Sequence, residues 1–255
     1  KVSVVGSGMA YQPGVAKKMF RSISDAGINI LMITTSQIKI SVLVRRSDAP
    51  QALQAVHQDF GLDTPVENGS GNSVEPPPPR AEEERADVVD RLRGMEELVI
   101  DDISLDTDQS RITLERVPDR PGIAALVFER VASAGIVVDM IVQSHLDQDG
   151  LANISFTIPR ADLVACQDLC QQIAEQLPCQ GFSNSPQAAK LSVSGIGLRS
   201  HTGVARRMFQ ALGSGGINVE LTNTSEARVN VIVAAEQGDL ALSVVKAAFA
   251  DITAR

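Results

Sequence analysis

Two glycine-rich turns stand where a predicted strand meets a predicted helix, and turns of this kind bind anions through backbone N–H groups. Gly6-x-Gly8, followed by Pro13-Gly14, precedes an apolar helical pattern, and nearly the same stretch returns at 193–209. A helix start offers N–H groups without intrahelical partners and the positive end of the dipole. The chemistry open to these turns is therefore the binding of a phosphate or of a small carboxylic acid.

A nucleotide is the less favoured of these ligands. A dinucleotide fingerprint needs a third glycine, but Tyr11 stands at that position, and the strand expected at 28–35 has no acidic residue. The Gly-Lys-[Ser/Thr] ending of a phosphate-binding loop is also missing. A carboxylate therefore remains the favoured ligand. The alternative is that these turns are ordinary helix starts that bind no ligand.

A sequence repeat organises the chain. Residues 1–44 align without a gap to residues 190–233, and about 17 of 44 positions are identical. A weaker third copy covers 111–144, where Pro121-Gly122 matches Pro13-Gly14. Because self-similarity of this kind marks repeated structural units, the sequence predicts three copies of one fold.

Each copy predicts the same order of elements. A strand leads through the turn to an amphipathic helix, and Gly27, Gly135 and Gly216 end the three helices in positions suited to left-handed caps. Two further strands follow, and then a second helix at about 48–59, 160–176 and 238–250. The predicted fold class is α+β: repeated ferredoxin-like βαββαβ units, each a four-stranded antiparallel sheet with helices on one face.

The fourth strand is distributed unevenly among the copies. The middle unit has a candidate at 179–184, whereas the other two units end after their second helix. An extra strand at 98–106 has no place in the middle unit, so we expect it to complete the sheet of the last unit. By the same reasoning a segment before Lys1 is expected to complete the first unit, which makes the chain the C-terminal part of something longer.

A proline-rich stretch separates the first unit from the other two. Four consecutive prolines flanked by Gly, Ser and Glu favour an extended segment that builds no core. The predicted organisation is a unit at 1–60, a Pro/Gly/Glu-rich linker with a lead-in helix at 61–94, a unit at 95–185 and a unit at 186–255.

Composition argues against several classes of function. A net charge of -8 without a basic block argues against nucleic-acid binding, and no apolar run reaches the roughly 18 to 20 residues that span a membrane. Cys166, Cys170 and Cys179 lack Cys-x-x-Cys spacing and a neighbouring histidine, which favours buried or half-buried thiols over a zinc site. We therefore expect a cytoplasmic protein with no metal site, no nucleic-acid partner and no membrane partner.

The motifs together carry a family resemblance. The segments VPDRPGIAALVFERVASAGIVVDMIVQS and SHTGVARRMFQALGSGGINVELTNTSE, in that order, resemble the paired ACT domains of the aspartokinase (aspartate kinase) regulatory region. The first copy resembles the second domain of such a pair, so the chain resembles an aspartokinase of the type that carries two ACT pairs. The Lys-Phe-Gly-Gly motif that opens the kinase domain in that family is absent from this sequence, so the chain is not expected to phosphorylate aspartate by itself.

The resemblance implies a regulatory role. Lysine and threonine would bind at interfaces between ACT units and act on the kinase domain by feedback inhibition of aspartate phosphorylation in lysine, threonine and methionine biosynthesis. No cofactor other than these two effectors is implied. The partners implied are lysine, threonine, the chain's own kinase domain, a missing upstream ACT domain and a second copy in a homodimer.

An amino-acid site needs donors for the carboxylate and acceptors for the ammonium group. The helix starts supply donors, while Asp119, Gln143 and Glu226 are candidate acceptors, and no catalytic residue is assigned. The expected effector-binding residues are Asp119, Arg120, Pro121, Gly122, Ile123, Ala124, Asp139, Gln143, Ser200, His201, Thr202, Gly203, Val204, Asn218, Val219, Thr224, Ser225 and Glu226. A second candidate set, in the first unit, is Gln12, Pro13, Gly14, Val15, Asn29, Ile30, Ser36 and Gln37.

Differences among the copies leave alternatives open. Gln37 stands where the last unit has Glu226, and Val137 stands where the other copies have an asparagine, so equivalent sites are not expected. Two candidate binding residues also have a simpler interpretation. Asp119 could be only the N-cap of a helix, and His201 could be only a loop residue. Two other functions also remain: a ligand-free ACT-type dimerisation or assembly module, and a nucleotide-binding enzyme built on the glycine turns.

Overall fold

The chain folds into nine strands and six α-helices over the part that the structure, a computed structural model, describes. That part comprises residues 1–6, 14–36, 38–62, 99–146, 150–196, 198, 203–225 and 227–253. The strands are β1 (Val2–Val5), β2 (Met32–Ser36), β3 (Lys39–Leu43), β4 (Val99–Pro118), β5 (Ile141–Leu146), β6 (Leu151–Pro159), β7 (Gly181–Ile196), β8 (Leu221–Thr224) and β9 (Arg228–Ala234). The helices are α1 (Val15–Asp25), α2 (Ala49–Asp59), α3 (Ile123–Ser133), α4 (Leu163–Gln176), α5 (Gly203–Ser214) and α6 (Gly238–Phe249).

All nine strands belong to one antiparallel sheet, in the order β1-β3-β2-β5-β6-β4-β7-β9-β8. Three repeats are visible in it. Unit 1 contains β1, α1, β2, β3 and α2; unit 2 contains α3, β5, β6 and α4; unit 3 contains α5, β8, β9 and α6. The repeated units and the antiparallel α+β class predicted from the sequence are confirmed.

Two long strands join units 2 and 3. The strands expected at 98–106 and near residue 112 are not separate elements, because together they form the single 20-residue strand β4. Its first half pairs with residues 190–196 of β7, beside unit 3, and its second half pairs with residues 181–185, beside unit 2. The register shifts at three places along this pair, and such bulges bend and twist a strand. The pair β4–β7 is therefore a bent two-stranded ribbon, and it connects unit 3 to unit 2.

Units 1 and 2 lie side by side with an approximate twofold relation. β2 and β5 run antiparallel, and Thr34 is paired with Val142, which occupies the same position in the next copy of the repeat. The first helices of the two units also meet, since the rings of Phe20 and Phe128 lie 5.3 Å apart. Pairing between equivalent positions is what a twofold axis requires. Both aromatic side chains are buried, so the two units share one core.

Unit 3 has a core of its own and packs on the others through the sheet face that carries no helices. Val229, Val231 and Val233 of β9 point to α5 and α6, whereas the alternate residue Ile232 packs with Met140 of unit 2. Asn223 of β8 is hydrogen-bonded to the Thr34 hydroxyl and to the backbone carbonyl of Thr35 in unit 1. The helix-free faces of the two halves of the sheet therefore lie against each other.

The predicted ends of the first helices agree with the structure. Gly27, Gly135 and Gly216 adopt left-handed φ angles of 70°, 75° and 67°, as expected after the first helix of each unit. The strand expected from residue 28 begins only at Met32, because Ile28 and Ile30 are buried in the core as part of the connection. The linker and lead-in helix expected at 61–94 lie, from residue 63 onward, outside the described residues.

Candidate functional site

Two pockets form where unit 1 meets unit 2. Each combines the start of the first helix of one unit with the connection that follows the first helix of the other. The approximate twofold axis relates them, because helix starts and connections exchange roles across it. We call them the first interface pocket, at the start of α3, and the second interface pocket, at the start of α1.

The first interface pocket is built around Gly122. This residue is the N-cap of α3 and has φ 93°, a left-handed conformation that glycine adopts without strain. A Cβ atom here would lie 3.2 Å from the Ser24 hydroxyl oxygen of unit 1, so the absence of a side chain lets the two units approach closely. No side chain caps the helix, and its first N–H groups have no intrahelical acceptor.

Asp119 does not cap α3, so the competing N-cap interpretation was wrong. Its carboxylate instead accepts a hydrogen bond of 3.0 Å from the side-chain amide of Asn29 in unit 1. Pro121 likewise precedes the helix and does not lie in its first turn, because α3 begins at Ile123. The Pro-Gly pair therefore shapes the entry to the helix and leaves the Asp119 carboxylate facing the neighbouring unit.

Gln143 forms the floor of the first interface pocket. Its side chain is 7% exposed, and its amide nitrogen donates to the Ile30 carbonyl of unit 1 across 3.0 Å. Its carbonyl oxygen is buried and has no hydrogen-bond partner among the described residues. A buried acceptor without a partner costs free energy, so this oxygen is poised to accept a bond from a ligand ammonium or hydroxyl group.

The first interface pocket is closed in this state. Its volume is about 10 Å³, which is room for no more than one water molecule. A pocket of this volume is too small for an amino acid, so binding one here requires units 1 and 2 to move apart. Ligand binding at this place is therefore coupled to the relative position of units 1 and 2.

The second interface pocket has different chemistry at equivalent positions. Val137 replaces Asn29, and Thr35 replaces Gln143, with its hydroxyl donating to the Asp139 carbonyl and accepting from the Ile141 N–H group. Its volume is about 50 Å³, and Gly14 forms its helix start with φ 104°. Without the asparagine and the glutamine it has fewer polar groups for an amino acid than the first pocket, in line with the expectation that the sites differ.

Exposed charges join α1 to α3, and one of them, Lys17, also lines the second interface pocket. Lys17 and Arg21 of α1 lie 3.3 Å and 3.1 Å from the carboxylate of Glu129 on α3. The hydrogen bond and charge of Lys17, followed by the charge of Arg21, lower the pKa of Glu129. These pairs are solvent-exposed, so they help to align the two helices more than they stabilise the fold.

Unit 3 has the same helix start and connection, on a side where no other described unit pairs with it. Gly203 begins α5, Val204 is buried in the core of unit 3, and Val219 packs against that core. β8 ends the sheet and pairs only with β9 among the described strands. Phe209, at the position of the buried Phe20 and Phe128, is 38% exposed.

The structure brings some of the predicted effector-binding residues together in one pocket and places others elsewhere. The first interface pocket brings together Asn29, Ile30, Asp119, Arg120, Pro121, Gly122, Ile123, Ala124 and Gln143. The second holds Gly14, Ser36 and Asp139, while Val15 packs beside it on the shared core. In unit 3, Asn218 follows α5, and Thr224 and Ser225 lie at the end of β8, facing unit 1. Outside the described residues lie Gln12, Pro13, Gln37, Ser200, His201, Thr202 and Glu226.

The two pockets are also lined by residues outside the candidate sets, among them Thr35 and Ser24. Thr35 occupies the repeat position of Gln143, and the alignment of the copies contained that signal. Ser24 approaches Gly122 from the neighbouring unit, and no pattern in the sequence indicates a contact of this kind. The effector-binding role of all these residues stays a prediction.

Other site chemistry finds little support in the described part of the chain. Those residues contain no group of three or more His, Cys, Asp or Glu side chains that could hold a metal ion. Cys166 and Cys170 are buried free thiols, as expected, and their mutual hydrogen bond, followed by burial, raises the pKa of Cys166 so that it stays protonated. No helix in the described ranges is long and apolar enough to cross a membrane.

Comparison with protein families identifies the repeated unit. A model of the ACT domain matches the chain three times, over residues 2–60, 115–172 and 191–249. Among curated proteins, the chain is similar to an aspartokinase of Pseudomonas aeruginosa, 34% identical over 160 residues, which are 63% of this chain and 39% of that protein. An aspartate kinase of Pseudomonas fluorescens is also 34% identical, over 161 residues with the same coverage. The chain thus spans about two fifths of the length of these relatives.

Two solved structures of aspartate kinases have the same fold as this chain over the part that superposes. The aspartate kinase from Synechocystis superposes with a TM-score of 0.78 at 31% identity, covering 97% of this chain and 39% of that one. The regulatory subunit of aspartate kinase from Thermus flavus superposes with a TM-score of 0.56 at 36% identity, covering 59% of this chain and 99% of that subunit.

Proposed function

Since this chain belongs to the ACT-domain family and aligns with the regulatory part of aspartokinases, we propose that it senses free amino acids for an aspartate kinase. Lysine, threonine or both bind at the interfaces between ACT units, and their binding inhibits phosphorylation of aspartate by the kinase domain of the parent protein. This is feedback inhibition, because both amino acids are end products of the pathway that aspartate phosphorylation opens.

The buried carbonyl oxygen of Gln143 is the observation that carries this proposal. It lies without a partner in a pocket that also presents an uncapped helix start, a carboxylate and an amide. A free amino acid matches this set: its carboxylate suits the N–H groups of α3, and its ammonium group suits Asp119 and the Gln143 oxygen. Opening the Asn29–Asp119 bond would couple the ligand to the positions of the two units.

The first test is isothermal titration calorimetry of the chain with L-lysine and L-threonine, separately and then together. We expect a saturable heat from at least one of them, and none from its D-enantiomer or from ATP. A changed affinity for one amino acid in the presence of the other would indicate coupled sites. Flat traces for both L-amino acids, on this chain and on a version extended before Lys1, would refute the proposal.

A matched pair of variants tests whether the amino acid binds in the first interface pocket. Asn29→Val copies into the first interface pocket the residue that the second one already has, and Val137→Asn is the reciprocal change. We expect Asn29→Val to weaken amino-acid binding at least tenfold, because the pocket loses the side-chain amide that could bond to the ligand and becomes less polar. Val137→Asn leaves that binding event unchanged. Equal effects of the two variants would place the site elsewhere.

A ligand-free assembly module is the second candidate, and one observation favours it. The first interface pocket is closed and its Asn29–Asp119 pair is satisfied without any ligand. In that case the repeats serve only to join units, and neither amino acid changes stability or association. Thermal unfolding with and without 10 mM of each L-amino acid, a concentration chosen to exceed a millimolar affinity, separates the two functions.

We further propose that unit 3 pairs with another ACT unit from a second copy of the chain. Phe209 is exposed at the position where Phe20 and Phe128 bury each other between units 1 and 2. The outer edge of β8 lies beside it, as the edges of β2 and β5 lie beside the other two rings. A homodimer that repeats the unit 1–unit 2 geometry would cover both features and complete a pocket at the start of α5.

A further inference from the structure

The largest cavity that we describe lies between the two halves of the sheet, on the face without helices. We call it the intersheet cavity. Its volume is about 350 Å³, several times that of the two interface pockets together. Unit 3 supplies Arg228 and Asn230 of β9 and Ser194 of β7, while units 1 and 2 supply Ser36 and Met140 on the opposite side.

Asn230 is the least expected residue in its wall. The residue is only 9% exposed and lines the cavity from β9. A side-chain amide offers both a donor and an acceptor, and most such groups in folded proteins bond to protein groups or to water. An amide of this kind facing a cavity is suited to a ligand that both fills space and accepts a hydrogen bond.

Arg228 adds a positive charge two residues away on the same strand. The residue is half-buried and forms no ion pair within the described ranges. Residues i and i+2 of a strand point to the same side and lie roughly 6–7 Å apart, so both side chains border the same part of the cavity. Arginine presents a planar set of donors that matches a carboxylate.

Among the described residues that line the cavity, Arg228 is the cation without a carboxylate partner. Lys190, which also lines the cavity, lies against the carboxylate of Asp139 and 3.6 Å from that of Asp106. Asp101 lies at the rim, exposed and without an ion-pair partner in the described part of the chain. A carboxylate ligand would face Arg228 and Asn230, and an additional ammonium group would face Asp101.

We propose that the intersheet cavity binds a small organic carboxylate, held by the Arg228 guanidinium and the Asn230 amide. Ser194 and Ser225 line the same wall, and their hydroxyl groups donate to the backbone carbonyls of Asp102 and Arg228. Met140, Ile38 and Ile196 form an apolar side of the cavity, which favours a ligand with a carbon skeleton over inorganic phosphate. The intersheet cavity is distinct from the amino-acid pockets at the helix starts, although Thr35, Ser36 and Asp139 line both it and the second interface pocket.

Such a ligand would touch all three units. Its carboxylate binds β9 of unit 3, while its carbon skeleton packs against Ile38 of unit 1 and Met140 of unit 2. Because it binds only when the two halves of the sheet are together, it stabilises their packing by mass action. The intersheet cavity therefore gives the chain a second way to respond to metabolites, through unit 3.

The test is a titration of ¹⁵N-labelled protein followed by NMR through the side-chain amide signals of Asn230. The probes are succinate, 4-aminobutyrate and phosphate, each at the same pH and ionic strength. We expect a saturable shift of the Asn230 signals with succinate or with 4-aminobutyrate, and no saturation with phosphate. Binding of 4-aminobutyrate alone assigns the Asp101 rim to an ammonium group; binding of succinate alone assigns the site to dicarboxylates.

Two variants decide whether the cavity is responsible. Arg228→Gln removes the cation, and Arg206→Gln is the matched control, because Arg206 is exposed on α5 and lines none of the three pockets. We expect Arg228→Gln to weaken binding at least tenfold while circular dichroism stays unchanged, and Arg206→Gln to bind as before. No saturable shift with either carboxylate, equal shifts with phosphate, or equal losses in the two variants would each overturn the proposal.

Discussion

The side-chain amide of Gln143 in unit 2 donates to the Ile30 carbonyl of unit 1 across 3.0 Å, and so ties the two units together inside the first interface pocket. We expect Gln143→Leu to lower the free energy of unfolding by about 1–3 kcal/mol, because a buried carbonyl loses its donor. The same variant should lose amino-acid binding, since the free oxygen of Gln143 disappears. Urea unfolding and calorimetry measure the two effects.

Gln171→Leu is the control for that substitution. Gln171 lies exposed on α4, and its side-chain amide donates to Glu175 in the same helix. Its replacement should change stability by no more than about 0.5 kcal/mol and leave binding intact. If Gln143→Leu behaves like Gln171→Leu in both measurements, the tie between the units is unimportant.

Phe209→Asp should convert a dimer of this chain into a monomer. The substitution places a charge in the centre of the interface proposed for unit 3, where Phe20 and Phe128 bury their rings in the equivalent contact. Sedimentation velocity at micromolar concentration gives the oligomeric state, and thermal unfolding shows whether unit 3 remains folded. A wild-type chain that sediments as a monomer would already contradict this pairing.

Leu240→Asp tests whether any exposed apolar residue has that effect. Leu240 is 50% exposed on α6, the second helix of unit 3. Because the proposed contact uses α5 and β8, this variant should remain dimeric. Loss of the dimer in both variants would indicate general destabilisation of unit 3.

Glu129 should make the contact between units 1 and 2 sensitive to acid. Lys17 and Arg21 hold its folded pKa below the ordinary value of 4.5, so the stabilisation is present above that value and is lost as pH falls through the lower folded pKa. Glu129→Gln removes this contribution at neutral pH. The difference in urea midpoint between pH 7 and pH 3 should therefore be smaller in the variant than in the wild type.

Salt and a second variant check the origin of that effect. The Glu129 contribution should weaken in 1 M NaCl, because exposed charges are screened. Glu175→Gln, at an exposed carboxylate that accepts a bond from a neutral amide, should retain the wild-type pH dependence. An equal change in both variants would attribute the effect to net charge alone.

Gly195→Ala should weaken the ribbon that carries unit 3. A Cβ atom at this position would lie 2.1 Å from the backbone carbonyl oxygen of Val99 on β4, so the two strands must separate. We expect a loss of at least about 2 kcal/mol in stability, measured by thermal unfolding. Gly213→Ala is the matched control, because no atom lies within 4 Å of its Cβ position, and it should be neutral or stabilising.

Much of the fold could be predicted from the sequence because its signals are local. The left-handed glycines Gly27, Gly135 and Gly216 follow the first helix of each unit, and apolar spacing placed the helices that precede them. The second helices fell within a few residues of their observed bounds. The Pro-Gly turns also predicted helix starts, although Asp119 turned out to face Asn29 of another unit and not its own helix.

The sequence alone determined that three equivalent units exist and which positions in them correspond, because repeats and periodicity are properties of the chain. It did not determine which units meet. All three present similar helix faces and strand edges, so any two of them were eligible to pair. The bent β4–β7 ribbon decided the matter: it turned unit 3 onto the helix-free face of the sheet, while β5 of unit 2 stayed free to pair with β2 of unit 1. The interface pockets and the intersheet cavity exist only through that arrangement, since every one of them is lined by residues far apart in the sequence.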